Sequence, residues 1–293
     1  MTTYDFIASN KRKTVLLIFI FSALILLLGW LVDRAYDGGG FFLGFAGVYS
    51  VISSLVSYYA GDKVALATSG AKPVTKQQLP NLVNTVENLC ITAGMPMPKV
   101  YAIIDPAINA FATGRDPQHA SIAVTTGAME KLQQNELEGV IAHELSHVRN
   151  YDIRVMTLVI VLVGIVSVIA NMFFRFSLRG RRRRGGGGEL VLIGIVLMIF
   201  APIVAQLIKL AVSRKREFLA DASGALLTRY PDGLANALRK IAAESLPMAG
   251  ASTATAHLFF ANPFSGRAWS SLFSTHPPIE QRIAALEKMG GLV

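Results

Sequence analysis

The chain has 293 residues, long enough for a sizeable core, but 52% of them are hydrophobic and only 16% are charged. That balance, with a mean hydropathy of +0.46, argues against a pair of soluble domains and for a membrane protein. The net charge of +9 lies largely in short clusters beside apolar runs, which fits membrane topology and anionic lipid and speaks against nucleic acid as a partner.

Lys11, Arg12 and Lys13 precede an uncharged run from Thr14 to Val32, which is too long for a signal-peptide core and has no small-x-small cleavage site after it. A turn with Asp33, Arg34, Asp37 and three glycines leads to a second run, Phe41 to Ala60, so the pattern predicts a transmembrane hairpin. The basic N-terminal flank, set against the lone Arg34 in the turn, directs the N-terminus and the chain after Ala60 toward the cytoplasm.

The following stretch, to residue 154, reads as soluble. A linker around Lys72-Pro73 precedes a helix running from near Pro80 to Gly94. Cys90 shares the apolar face of that helix with Leu79, Leu82, Val83, Val86 and Leu89 and reads as a core filler. As the only cysteine, it can form no intrachain disulfide. Val100–Ile104, Asn109–Thr113 and Ser121–Thr125 read as three short strands separated by turn signals. Such a sheet either offers an edge to an extended peptide or only backs the core, and spacing leaves both open.

Next comes Ile141-Ala142-His143-Glu144-Leu145-Ser146-His147, an H-E-x-x-H pattern. Leu137, Val140, Ile141, Leu145 and Val148 give it an apolar stripe at helical spacing, and Asn135 with Glu138 reads as an N-cap with its capping-box partner. On a helix, residues four apart stand nearly above one another, so His143 and His147 can offer two imidazoles to one metal ion. Glu144 points to the side, where it can work on water rather than bind the metal.

A third apolar run, Val155 to Phe174, starts eight residues after His147, and a fourth, Leu190 to Ile208, ends nine residues before Glu217. Each interval is about 12–14 Å of helix, which sets the metal residues close to the membrane surface. Between the runs lie Arg175, Arg179, Arg181 to Arg184 and four glycines, a flexible basic loop. Runs three and four either span the bilayer twice or dip in from the cytoplasmic face. The number of crossings must be even if one metal is to see both His147 and Glu217.

Catalytic zinc usually takes three protein ligands. Glu217 is the best candidate for the third, because it lies on a helix at the right depth with Asp221 four residues later on the same face. A carboxylate such as Asp221 can accept a hydrogen bond from the far nitrogen of a ligand imidazole and fix its tautomer. His119 and His257 have no acidic neighbours or helical context and read as loop or surface residues. The remainder of the chain reads as a helical tail with a loop over Ala251–Arg267.

The set His143-Glu144-Leu145-Ser146-His147 and Glu217-Phe218-Leu219-Ala220-Asp221, with Asn109-Ala110-Phe111-Ala112 upstream and His276-Pro277-Pro278 downstream, resembles the HtpX-type membrane zinc metalloproteases, relatives of the CAAX prenyl endopeptidase. The resemblance covers almost the whole chain. It implies one Zn2+ per chain held by His143, His147 and Glu217, with Glu144 as general base and Asp221 behind a ligand histidine. It also implies that Asn109, Ala110 and Phe111 hold the substrate backbone by strand addition, and that His276 hydrogen-bonds the oxyanion.

The expected fold class is a mainly α membrane protein: four apolar helices in two hairpins with a cytoplasmic α+β, zincin-like catalytic domain carrying a small sheet. Its parts are a transmembrane hairpin (1–62), a first catalytic part with the sheet and the H-E-x-x-H helix (63–154), a second hydrophobic hairpin with the Arg/Gly loop (155–212), and a second catalytic part with the third ligand (213–293). The resemblance implies a zinc endopeptidase of the bacterial inner membrane, acting at the cytoplasmic face on misfolded or damaged membrane proteins and unfolded polypeptides. The alternative is a non-proteolytic scaffold whose basic loop binds anionic lipid or a partner. Prenylated peptides as substrates would require more membrane spans than four apolar runs supply.

Overall fold

The computed structural model describes residues 3–35, 37–165, 214–244, 246–251, 255–264 and 277–290. Helices α1 (Thr3–Ala35) and α2 (Phe41–Thr68) form the N-terminal hairpin. The turn is closed by Asp33, whose carboxylate accepts the backbone N–H of Gly40 at 2.8 Å and of Phe42 at 3.0 Å. Both helices are long and apolar enough to cross a membrane, with window hydropathies of 3.0 and 1.6 and only 28% and 22% of those windows buried. Their outward faces carry Val15, Phe19, Phe45, Val48 and Leu55, each more than half exposed, a surface that belongs in lipid rather than water.

Helix α2 runs without a break past Ala60, where the apolar run reads as ending, to Thr68. Its buried side is a stripe of small residues, Ala46, Ser50, Ser53, Ser57, Gly61 and Ala65, which lets neighbouring backbones approach closely. The last turns therefore belong to the globular part that carries the sheet, where Ala65 and Leu66 pack with Phe111, Met156 and Phe259.

The sheet has four strands in the order β1-β2-β4-β3: β1 (Lys72–Pro73), β2 (Lys99–Ile103), β3 (Ala110–Gly114) and β4 (Ala120–Thr125). The Lys72-Pro73 stretch, which reads as linker, pairs antiparallel with β2 through Lys72↔Ala102 and Pro73↔Tyr101, a pairing of two residues that no periodicity can signal. Strands β2 and β4 are parallel, and β3 lies antiparallel to β4 at the far edge of the sheet. Helix α3 (Pro80–Ala93) begins on a proline and ends on Gly94, whose φ of 63° supplies the left-handed stop.

After the short α4 (Thr126–Lys131) comes α5 (Gln134–Arg149), the helix around which the globular part is built. Its capping box is Gln133 with Glu136, two residues earlier than Asn135 with Glu138: the Gln133 N–H donates to Glu136 at 2.7 Å, and Lys240 meets the same carboxylate at 2.6 Å. Ile141 and Leu145, at 0% and 1% exposure, pack with Leu82 and Val86 of α3 and with Ile122 and Val124 of β4. Each such burial stabilises the fold by about 1.5–3 kcal/mol.

Helix α6 (152–165) follows at a sharp elbow, where Tyr151 adopts a φ of 59°. Its apolar side packs on α1, with Val155, Leu158 and Leu162 against Leu17, Phe21 and Ile25. Helices α7 (Arg214–Thr228) and α8 (Pro231–Glu244) then pack on α5, and α9 (Ile279–Gly290) closes over α7 and α8. Pro231-Asp232-Gly233 forms the first turn of α8. The third run is described only as far as residue 165, and the fourth run and the arginine loop lie outside the described residues. Two membrane-capable helices are therefore present among the described residues, where four apolar helices are expected.

Candidate metal centre

Two turns of α5 bring His143 and His147 side by side, with ring centroids 4.8 Å apart and their Nε2 atoms 3.1 Å apart. Helix α7 delivers Glu217 to the same point: Oε1 is 3.5 Å from His147 Nε2 and Oε2 is 3.8 Å from His143 Nε2. One candidate ligand atom from each of the three residues falls within 4.8 Å of the others. All three side chains are buried, at 1%, 4% and 2% exposure.

The close approach of the two helices depends on Gly224, two turns after Glu217 on the same face of α7. A Cβ there would lie 2.9 Å from the backbone nitrogen of His143. Asp221 sits between them on that face and takes the Nδ1–H of His143 at 2.8 Å. His147 has its own partner, because the Tyr151 elbow turns Asp152 back so that its Oδ2 lies 3.0 Å from His147 Nδ1. With each Nδ1 protonated toward a carboxylate, both Nε2 lone pairs face the carboxylate of Glu217 and each other. Two lone pairs 3.1 Å apart repel unless a proton or a metal cation lies between them, so the pair can share a proton in the metal-free site or serve together as ligands.

Each carboxylate behind a histidine is itself clamped. Arg282 of α9 donates from Nε and Nη2 to Asp221 at 2.8 and 2.7 Å, and its Nη1 donates to the Phe260 carbonyl at 3.2 Å. Its 3.4 Å approach to His143 Nδ1 is not a hydrogen bond, since that nitrogen already donates to Asp221. Arg216 donates to Asp152 at 3.1 Å, and so does Asn10 of α1 at 2.7 Å. Glu144, Asp152, Glu217 and Asp221 are all buried, against the buried Arg216 and Arg282. Four carboxylates stand against two guanidiniums, an acidic excess of the kind a divalent cation would offset, so the residues present fit a metal ion.

Electrostatics follow from this enclosure. Burial draws His143 down to about 4, against the hydrogen bond and charge of Asp221. Burial also pulls on His147, but the Asp152 hydrogen bond and the Glu217 charge outweigh it and hold that imidazole up at about 9. Asp221, which burial would raise, is held far below the ordinary carboxylate range by Arg282. Glu144 is pushed up to about 7 by burial and by Glu217, opposed by the charge of His147 and by the nearby Ala112 backbone on β3. The acid next to the candidate ligands thus lies beside the edge strand of the sheet.

That edge is in use. Thr125 N–H bonds the Asn109 carbonyl, so the even-numbered residues of β3 point their backbone groups outward. The Ala110 carbonyl accepts Phe260 N–H at 2.8 Å, and Gly114 N–H donates to Thr157 at 3.1 Å. The Asn109 side chain brackets Ala261, accepting its N–H at 3.1 Å and donating to its carbonyl at 3.0 Å. Phe111 is fully buried against Phe259. The Phe260 ring stands edge-on to His143 at 4.9 Å and under the Arg282 guanidinium at 4.6 Å.

His276, expected at the oxyanion, lies outside the described residues. His119 is exposed and pairs with Asp116 at 2.6 Å. His257 departs from its surface reading: it is 1% exposed, with Nε2 3.0 Å from the Met156 carbonyl, and burial lowers it to about 4. Cys90 is buried in the core, and burial pushes its thiol up to about 11, which makes it inert.

Asp152, Arg216, Asn10 and Arg282 do not emerge from the sequence reading. Two of them left a signal. Asp152 opens an apolar run, where an acid without a partner would be costly, and Arg282 falls on the apolar stripe of α9 among Ile279, Ile283 and Leu286.

A pair of imidazoles and a carboxylate on packed helices, each imidazole backed by a clamped acid, defines a metallohydrolase-type centre carried beside a membrane-capable hairpin. Residues 76–290 match the model of Peptidase family M48. Along nearly the full chain, it is 47% identical over 288 residues to the Protease HtpX homolog of Tropheryma whipplei (strain Twist), covering 98% of each. It is 43% identical over 305 residues to that of Listeria monocytogenes, covering 98% of this chain and 99% of the relative. The chain belongs to Peptidase family M48 and is a metalloprotease of the HtpX type. Its fold is similar to that in the crystal structure of S. mikatae Ste24p, with a TM-score of 0.51 at 17% identity over 97% of this chain and 67% of that one.

Proposed function

We propose that the chain is a zinc-dependent endopeptidase of the bacterial inner membrane, multi-pass, with its catalytic part in the cytoplasm. In this reading it hydrolyses misfolded or damaged membrane proteins and other unfolded polypeptides. The observation that carries this reading is the meeting of His143, His147 and Glu217 within 4.8 Å, each histidine backed by its own buried carboxylate. These three residues would hold one Zn2+, which when bound supplies Lewis acidity toward water and the scissile carbonyl.

Glu144 would take a proton from the attacking water and return it to the departing amine. It lies beside the Ala112 backbone at the outer edge of β3, so a peptide extended along that edge would bring its carbonyl to the base. Within the stretch Asn109, Ala110 and Phe111, the Asn109 side chain and the outward backbone of Ala110 would hold that peptide while Phe111 stays paired to β4. The peptide must displace Phe260 and Ala261 from the same edge. His276 would donate to the oxyanion. A non-proteolytic scaffold is not favoured, because it has no use for a buried acid beside three convergent donors.

The test is cleavage of an unfolded membrane polypeptide by the purified full-length protein in detergent, before and after chelation and after Zn2+ is returned. Turnover that a chelator abolishes and zinc restores is expected. Turnover unaffected by chelation would remove the zinc reading.

A further inference from the structure

Asn10 stands out on α1. It lies one residue before the basic cluster Lys11-Arg12-Lys13, at the foot of an apolar helix, yet it is 1% exposed and makes no use of lipid or water. Its side-chain amide donates to Asp152 Oδ1 at 2.7 Å and to the Asn150 carbonyl at 2.9 Å, while its own oxygen lies 3.4 Å from Arg216 Nη1. Asp152 is thus held from both sides, its Oδ1 between Asn10 and Arg216, which leaves Oδ2 aimed at His147 Nδ1 at 3.0 Å. The elbow that presents Asp152 is unusual, since Tyr151 holds a left-handed φ of 59° that a bulky residue adopts only when its surroundings enforce it. Lys11 of α1 lies over the Tyr151 ring at 5.2 Å, so α1 grips the elbow at two successive residues.

We propose that Asn10 is a positioning residue of the metal centre: through Asp152 it orients His147, so that the first membrane-capable helix is a working part of the metal site and not only its anchor. An Asp152 carboxylate free to rotate would share its hydrogen bonds with Arg216 alone and would leave the His147 ring without a fixed tautomer. The proposal rests on the metal-centre reading above and adds to it a route from the N-terminal helix to one ligand.

The test uses the full-length protein in detergent, with Zn2+ affinity measured by chelator competition and ligand geometry by the visible spectrum of the Co2+-substituted form. Asn10→Ala is expected to weaken Zn2+ binding about 10- to 100-fold and to change the Co2+ spectrum. Asn10→Asp keeps the volume that packs α1 but faces Asp152 with a second carboxylate, and it is expected to lose at least as much. Thr14→Ala, one turn along α1 and buried, removes a hydroxyl bonded to the Asn10 carbonyl but leaves the Asn10 amide and Asp152 untouched. It should keep zinc affinity within about twofold of the parent and the Co2+ spectrum unchanged. In an Asp152→Asn background, Asn10→Ala should cost no further affinity, because the residue acts through that carboxylate.

Unchanged zinc affinity and Co2+ spectrum in both Asn10 variants would overturn the proposal, as would losses that add to those of Asp152→Asn. Failure of the parent protein to bind Zn2+ at all would instead remove the metal-centre reading on which it rests.

Discussion

Arg282 holds Asp221 by two parallel hydrogen bonds of 2.8 and 2.7 Å, and both residues are 2% exposed. The pair lies directly behind His143, so it connects α9 at the C-terminal end of the chain to the metal residues on α5. Removing one member of such a pair leaves a charge buried without its counterion, which costs about 3–5 kcal/mol. Arg282→Ala is therefore expected to lower the melting temperature by about 6–20 degrees. Arg282→Lys should fall between, because an ammonium keeps the charge but cannot supply the planar fork. Thermal unfolding of the purified variants measures this, and a parent-like melt for Arg282→Ala would show that Asp221 does not depend on the guanidinium.

Gly224 gives a sharper geometric prediction. A methyl group at this position meets the backbone of α5 at His143, 2.9 Å from the nitrogen, and backbone cannot rotate away as a side chain can. Gly224→Ala should push α7 outward and withdraw Glu217, two turns earlier, from the imidazoles. Zinc affinity is expected to fall at least tenfold, roughly, by analogy with the loss of other groups that support metal ligands. Chelator competition reads the result, and unchanged affinity would mean that α7 slides without carrying Glu217 away.

These two residues mark where sequence reading stops. His143 and His147 are legible because helical spacing alone stacks them, and Glu217 is legible because Asp221 stands one turn behind it. Gly224 belongs to the same face, but a glycine in a helix says nothing until the opposing helix is in place. Asp152 meets Asn10 and Arg216 across 142 and 64 residues, and Arg282 meets Asp221 across 61, separations that only tertiary packing sets. The capping box shows the same limit on a small scale. Asn135 with Glu138 is the better pattern, because asparagine is a preferred N-cap and glutamine is not. Yet the helix starts at Gln133 with Glu136, whose carboxylate Lys240 meets from a distant helix. The membrane-capable hairpin is plain in the sequence because lipid selects by length and hydropathy, whereas β1 is too short to carry any pattern.

Glu144 and Glu217 should separate cleanly under substitution. Glu144→Gln removes the group that handles protons and keeps its shape, so metal content should stay near one per chain while turnover falls about 10²- to 10⁴-fold. Glu217→Ala removes a donor to the metal itself and should leave the purified protein with little zinc. Elemental analysis beside a peptide-cleavage assay distinguishes the two. Retained turnover in Glu144→Gln would end the general-base assignment, and stoichiometric zinc in Glu217→Ala would end that of the third ligand.

Asn109 faces two duties. Its side chain brackets Ala261 with hydrogen bonds of 3.1 and 3.0 Å, and it stands at the head of the strand proposed to receive a peptide. If the bracket is its main work, Asn109→Ala leaves the Ala261 backbone groups without their partners and lowers stability by about 1–3 kcal/mol. KM for an unfolded polypeptide would then change little. If it serves a bound peptide instead, the same variant should melt like the parent and show a KM raised severalfold. The burial of Asn109 at 3% exposure favours the first outcome for the protein without substrate, and measuring the melt and KM on one preparation decides between them.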